Sequence, residues 1–216
     1  AFQTVHHDLW DYDVASQPVL VDLQIGGETV PVLIQPTKQG EIYLLDRRNG
    51  RPLTSVEERP VPQGNVPGEH YSPTQPFPVG LPSFAPAPLT EVDMWGATQL
   101  DQLACRIEFR RMRYQGMYTP PRLDTSLAWP GNNGIMNWGS VSVDEERQLM
   151  VVNSSYMPLV LRLIPRAKAP PGERIAIEGS STAISPQIGT PYAVQTTRPF
   201  LSPLGVPCNA PPWGRL

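Results

Sequence analysis

The chain has 216 residues, enough for one domain with a sizeable core, and a formal net charge of −3 with charged residues at 17%. No basic stripe points to nucleic acid, and no long acidic run points to a solvating tail. Proline is unusually common, 27 of 216 residues against an average near 5%, and because it removes backbone donors and breaks helices, a loop-rich chain of short β elements is expected.

No apolar run approaches the ~18–20 residues that span a bilayer, and no signal peptide opens the chain. Ala1 to Val5 reads as the middle of a strand, and Pro211 to Leu216 stops abruptly, so a piece of a larger protein is expected. Thr4 to Asp13 holds His6, His7, Asp8, Trp10, Asp11, Tyr12 and Asp13. Aromatic faces can stack on a flat ligand, and a carboxylate among apolar neighbours gains basicity by desolvation. A strand end with a solvated acidic turn is the plain alternative. Zinc is disfavoured, because adjacent histidines splay to opposite faces of a strand and no third His or Cys has supporting spacing.

Pro18 to Ile25 alternates as a strand, Gly26-Gly27 is a hairpin turn, and Thr29 to Ile34 returns, with Pro31 pushing that strand toward an edge or bulge. Glu41 to Leu45 gives a third strand, Asn49-Gly50 another turn, and Arg51-Pro52-Leu53 the start of a fourth. Four short antiparallel strands in sequence make one propeller blade. Glu57 to Pro88 reads as a long proline-rich excursion, functional or decorative.

Thr98 to Tyr114 is the persuasive helix. Thr98 and Asp101 resemble a capping box, Leu100, Leu103, Ala104 and Ile107 form a 3.6-period apolar stripe, and Arg106, Arg110, Arg111 and Arg113 crowd its second half. Trp129 to Gly134 is a turn. Ser140 to Asp144 and Leu149 to Asn153 form a hairpin, Ala167 to Pro186 a flexible loop, and Tyr192 to Thr196 one more strand. Cys105 and Cys208 would bridge only with Cα atoms within about 7 Å. The frequent burial of free cysteines favours two unbridged thiols.

Two runs carry a resemblance. His6-His7-Asp8-Leu9-Trp10-Asp11 is followed, 27 positions beyond Asp11, by Lys38 within Pro36-Thr37-Lys38-Gln39-Gly40-Glu41-Ile42-Tyr43-Leu44-Leu45-Asp46-Arg47. Together they resemble the membrane-bound quinoprotein dehydrogenases of the glucose and quinate/shikimate type, which use pyrroloquinoline quinone (PQQ). Further similar runs are Pro60 to Gly64, Thr74 to Phe77, Asp93 to Thr98, Trp138 to Asp144 and Leu201 to Cys208.

The resemblance implies an all-β fold, part of an eight-bladed β-propeller of four-stranded blades with long proline-rich loops and one short helix. Residues 1–56 would form a blade carrying the catalytic residues, 57–127 a long insertion with the helix, and 128–216 the following blade segments. The implied activity is oxidation of a sugar or cyclic polyol by hydride transfer to PQQ, with electrons passing to ubiquinone. The parent would lie on the periplasmic face of the inner membrane, anchored by upstream helices.

Asp11 is then the expected general base, and Lys38 the contact to the quinone. Asn153 and Trp138 are expected near the cofactor. His6, His7 and Trp10 would support the substrate side; orienting Asp11, lining the mouth and merely finishing a strand stay open for the histidines. The family's divalent ion, Mg²⁺ or Ca²⁺, would take its ligands outside this chain. The isolated chain is expected to be inactive, and a non-catalytic propeller module for binding or assembly is the alternative.

Overall fold

The structure is a computed structural model describing residues 1–170, 175–176, 182–197 and 199–216. Strands β1 (Val19–Ile25), β2 (Glu28–Pro36) and β3 (Ile42–Asp46) form an antiparallel sheet in sequence order. Gly26 and Gly27 both take positive φ, 62° and 87°, as a tight hairpin turn matched to strand twist requires. Val21 lies opposite Val32 and Leu23 opposite Val30. That register puts Val21, Val30, Val32 and Ile34 on one buried face, and each such side chain gains about 1.5–3 kcal/mol on burial.

Pro31 does not send β2 to an edge. β2 is the central strand, and the Pro31 carbonyl accepts from Arg47 N–H at 2.9 Å. A residue's nitrogen and carbonyl point to the same side of a strand, so the missing donor faces the spot where β3 has just ended. The expected fourth strand is a single bridge between Leu45 and Pro52, since proline cannot donate to extend a ladder.

Strand β4 (Val56–Pro60) pairs with β5 (Thr74–Pro78), so the excursion expected over 57–88 contains a hairpin. It lacks an apolar run because most of β4 is exposed. Buried Gln75 uses both amide atoms on one residue of the N-terminal segment: it accepts from His6 N–H and donates to His6 O, each at 2.7 Å. Residues 1–17 contain no strand. Ala1 to Val5 is irregular chain whose ladder role is replaced by this side-chain clamp.

Strands β7 (Val141–Asp144) and β8 (Leu149–Val152) pair as expected, and Val141 and Val152 join the core of the first sheet with Trp129, Ile135, Met136 and Tyr156. A larger sheet runs in the order β11-β12-β13-β10-β6, from β6 (Ser126–Ala128), β10 (Leu159–Pro165), β11 (Ile175–Ala176), β12 (Thr182–Ser185) and β13 (Tyr192–Thr197). The loop expected over 167–186 therefore includes β11 and β12; the rest of that stretch lies partly outside the described residues. Short β9 (Ser154–Ser155) pairs with β14 (Gly214–Arg215) and brings the end of the chain back to the core.

The helix, α1 (Gln99–Arg111), starts where expected, with Thr98 Oγ1 accepting from Asp101 N–H at 3.2 Å, and stops before Tyr114. Its apolar stripe does not meet a core. Leu100, Leu103 and Ile107 all stand in solvent, Leu100 79% exposed, while Asp101 and Cys105 are buried. Asp101 accepts from the N–H groups of Ala97 (3.0 Å) and Leu204 (3.2 Å). Burial pushes its carboxyl up, but hydrogen bonds from Ser202, Ala97 and Leu204 outweigh that and hold it below the usual range.

One turn along the same face, Cys105 is disulfide-bonded to Cys208, with Cα atoms 5.5 Å apart. This overturns the expectation of two free thiols: burial was read correctly, but the fold brings together two positions 103 residues apart. Met94, Leu127 and Phe200 pack around the bridge. Closing so long a loop restricts the unfolded chain strongly, so reduction, or Cys105→Ala with Cys208→Ala, should lower stability by about 2–5 kcal/mol. Urea unfolding with and without reductant checks this.

Candidate active site

Lys38 sits in the turn between β2 and β3. Thr37 closes that turn: its N–H and Oγ1 both donate to Glu41 O, at 3.0 and 2.9 Å, and Gly40 N–H donates to Thr37 O at 3.0 Å. Gly40 has φ 93°, and a Cβ there would lie 2.6 Å from Ala85 N, so only glycine fits. The turn is sunk in the protein, and Lys38 is 6% exposed.

A buried ammonium must be paired and hydrogen-bonded. Lys38 Nζ donates to Asp11 O at 2.7 Å, to Asp11 Oδ2 at 3.3 Å, and to Asp13 Oδ1 in closer contact still. Asp11 has φ 65°, a left-handed conformation uncommon outside glycine. In it, one residue presents both its carbonyl and its carboxylate to the lysine. The ammonium is enclosed, but its counter-ions are open: the Asp11 and Asp13 side chains are 62% and 56% exposed. Desolvation pushes the Asp11 carboxyl above the usual range; Lys38 opposes this, while Asp13 and Asp8 add to it.

A second loop, Trp129 to Ile135, braces this pair. The Tyr12 hydroxyl donates to Pro130 O at 2.6 Å, and Asn132 Nδ2 lies 3.5 Å from Asp11 Oδ2. Gly134 lies against the Lys38 stem, and Ile135 N–H donates to Lys38 O at 2.7 Å.

Asp11 opens onto a cleft of about 610 Å³, a size typical of small-molecule sites. Asp8, Trp10, Asp11 and Asn132 line one side. Leu159, Leu161 and Leu163 of β10 and Tyr192, Val194 and Thr196 of β13 line the other. The arrangement puts a carboxylate of raised basicity, in contact with the Lys38 ammonium, on the wall of a cleft with mixed polar and apolar lining.

Of the residues singled out from sequence, the fold joins Asp11 and Lys38. Trp10 lines the cleft from within a buried aromatic cluster, 6.0 Å from Tyr12 and 5.1 Å from Tyr118 between ring centroids, with its Nε1 donating to Thr119 O at 2.8 Å. Burial pushes the Tyr12 and Tyr118 hydroxyls up, so both stay neutral. His6 and His7 are not brought to Asp11. The imidazole of His6 meets Glu58 at 2.9 Å and Gln3 at 2.8 Å, and that of His7 meets Glu69 at 3.5 Å. Trp138 is 86% exposed, and Asn153 is exposed between β8 and β9. The arginines of α1 turn to carboxylates instead of the cleft, Arg106 and Arg110 to Glu91 and Arg111 to Glu108.

Sequence reasoning missed Asp13, Asn132 and Gly134. Asp13 was visible as a third carboxylate two residues beyond Asp11. Asn132 and Gly134 read only as turn residues, with no signal of the partners 121 and 96 positions upstream.

The family model described as "PQQ: Glucose/ethanol/alcohol dehydrogenase, beta-propeller domain" matches residues 1–216. The chain belongs to that family. Similar proteins include the quinoprotein glucose dehydrogenase of Escherichia coli (strain K12), 47% identical over 99% of this chain and 27% of that protein. Quinoprotein glucose dehydrogenase A of Acinetobacter calcoaceticus is 48% identical over 99% of this chain and 27% of that protein. The probable quinate dehydrogenase (quinone) of Xanthomonas campestris pv. juglandis is 47% identical over 100% and 28%. The PQQ-propeller chain thus spans little more than a quarter of these relatives' length. Among its described residues no helix is long and apolar enough to cross a membrane.

The Gly134 contact makes a direct prediction. At φ 71°, a Cβ there would lie 2.5 Å from Lys38 Cβ and 2.6 Å from its Cα and Cγ. Gly134→Ala should cost about 2–4 kcal/mol and displace Lys38, measured as a lowered urea midpoint.

Proposed function

We propose that this chain is the part of a quinoprotein dehydrogenase that carries the general base and the cofactor-contacting cation. The parent oxidises a sugar or cyclic polyol of the glucose or quinate/shikimate type with PQQ, and passes the electrons to ubiquinone at the periplasmic face of the inner membrane. The remaining blades of an eight-bladed ring belong to the rest of the parent. The observation that carries this reading is the Lys38–Asp11 contact at the cleft, with Lys38 enclosed and Asp11 open.

The donor set fits a flat anionic quinone. Lys38 is a buried cation whose counter-ions, Asp11 and Asp13, are exposed enough to yield it to another acceptor. Trp138 and Asn153, whose cofactor role rests on the resemblance alone, are exposed and do not line the cleft. When bound, PQQ would supply the two-electron acceptor that oxidation of the alcohol requires.

The chain's own residues do the rest. Asp11 accepts the hydroxyl proton of the alcohol, and its raised basicity suits that task. Lys38 keeps Asp11 in place and puts a fixed positive charge where negative charge develops. The apolar wall of β10 excludes water from that side of the cleft. The divalent ion's ligands are placed in the rest of the parent on the family resemblance.

The test is quinone-reductase activity of the full-length parent, reconstituted with PQQ and Mg²⁺, on glucose, quinate and shikimate. Asp11→Asn should lower kcat by about 10²–10⁴-fold with PQQ still bound. Absence of activity on every alcohol, with PQQ unbound, would sink the reading. Asp13→Asn gives the pH test. It removes a negative neighbour, so the ionised form of Asp11 is favoured and its pKa falls. The acid limb of kcat/KM, where activity is lost as Asp11 protonates, should then move to lower pH by up to about one unit.

A further inference from the structure

Both contacts to the Asp11 carboxylate converge on one oxygen. Lys38 Nζ lies 3.3 Å and Asn132 Nδ2 3.5 Å from Oδ2. Among the described residues, Oδ1 receives no hydrogen bond. Asp11 and Asn132 both line the cleft.

Asn132 is carried on a turn fixed at both ends. Gly131 N–H donates to Met157 O at 3.0 Å, and Gly134 N–H closes the turn onto Gly131 O at 2.8 Å. A Cβ on Gly131 would lie 2.8 Å from Met157 O and 2.9 Å from Leu159 Cβ, so the turn is pressed onto the start of β10. At its other end, Gly134 and Ile135 hold Lys38 itself. One loop therefore sets the place of the lysine and reaches the carboxylate that the lysine holds.

We infer that Asn132 is a positioning residue for Asp11: with Lys38 it occupies Oδ2, and so assigns Oδ1 as the oxygen that takes the substrate proton. A separation of 3.5 Å is at the long limit of a hydrogen bond, and catalytic hydrogen bonds are often long before substrate closes the site. The amide is neutral, so it orients Asp11 without quenching its basicity as a second cation would. This inference rests on the base role proposed above for Asp11.

The experiment uses the full-length parent with Asn132→Ala and the isosteric Asn132→Asp, and with Asn132→Gln as the rescue variant. The first readout needs no cofactor. The carboxyl stretch of Asp11 is followed by infrared pH titration of the cofactor-free protein, and assigned by difference from Asp11→Asn. Loss of the donor should raise the Asp11 midpoint, and Asn132→Asp should raise it further, by roughly one pH unit or more, because it adds a like charge.

In the PQQ-loaded enzyme, the acid limb of kcat/KM should move to higher pH by the same amount. kcat should fall about tenfold or more while KM changes less, and Asn132→Gln should restore part of it. Wild-type midpoints and acid limbs in folded, PQQ-bound variants overturn the inference. So does loss of folding or of PQQ binding in both variants, which would make Asn132 a structural residue of its loop. A parent in which Asp11→Asn keeps full activity would instead overturn the base role, with the infrared result still deciding whether Asn132 holds the carboxylate.

Discussion

A lysine ammonium taken out of water is the constraint around which this chain is arranged. Left unpaired, such a charge costs several kcal/mol, a large part of a small domain's stability margin. The fold meets it with three oxygens from a segment 25–27 positions upstream. That segment has no ladder of its own. It is held by Gln75 at His6, by Tyr12 on Pro130, and by the lysine itself at Asp11 and Asp13. The irregular N-terminal stretch is therefore structured because the charge is buried, and the charge is tolerable because that stretch is there.

The same pairing creates chemistry. Asp11 feels two opposed effects, desolvation raising its pKa and the lysine lowering it, and desolvation wins. The outcome is a carboxylate of raised basicity on the wall of a cleft lined by both polar and apolar side chains. Removing the lysine would strand two acidic groups beside each other, so the pair behaves as a unit and single changes at either residue will not add.

The helix is joined to the rest by specific bonds in place of its apolar stripe. The helix is tied down through Asp101 and the Cys105–Cys208 bridge, on the side away from its leucines. A periodic row of Leu100, Leu103 and Ile107 shows that one face of a helix is apolar, but not which way the helix is rolled. Here a hydrogen-bonded carboxylate and a covalent link decided the roll.

Local rules made much legible. Gly26-Gly27 between alternating runs specified the first hairpin, Thr98 marked the helix start, and the Asp11 and Lys38 runs were in view through their resemblance to the quinoprotein family. What needed the tertiary structure were facts about partners distant in sequence. Pro31 looked like an edge residue until β3 was seen to end beside it. Cys105 and Cys208 looked like separate thiols until the chain closed a loop of about a hundred residues. The sequence left open whether His6 and His7 orient Asp11, line the mouth or only finish a strand, and in the fold their imidazoles meet Glu58 and Glu69 instead of Asp11. The sequence by itself determined that Asp11 and Lys38 stand 27 positions apart, each in a run that resembles one of the family's. Only the folded chain decided that they touch, that Asn132 and Gly134 brace them, and that Asp11 faces a cleft, because burial and charge pairing depend on which distant segments share one space.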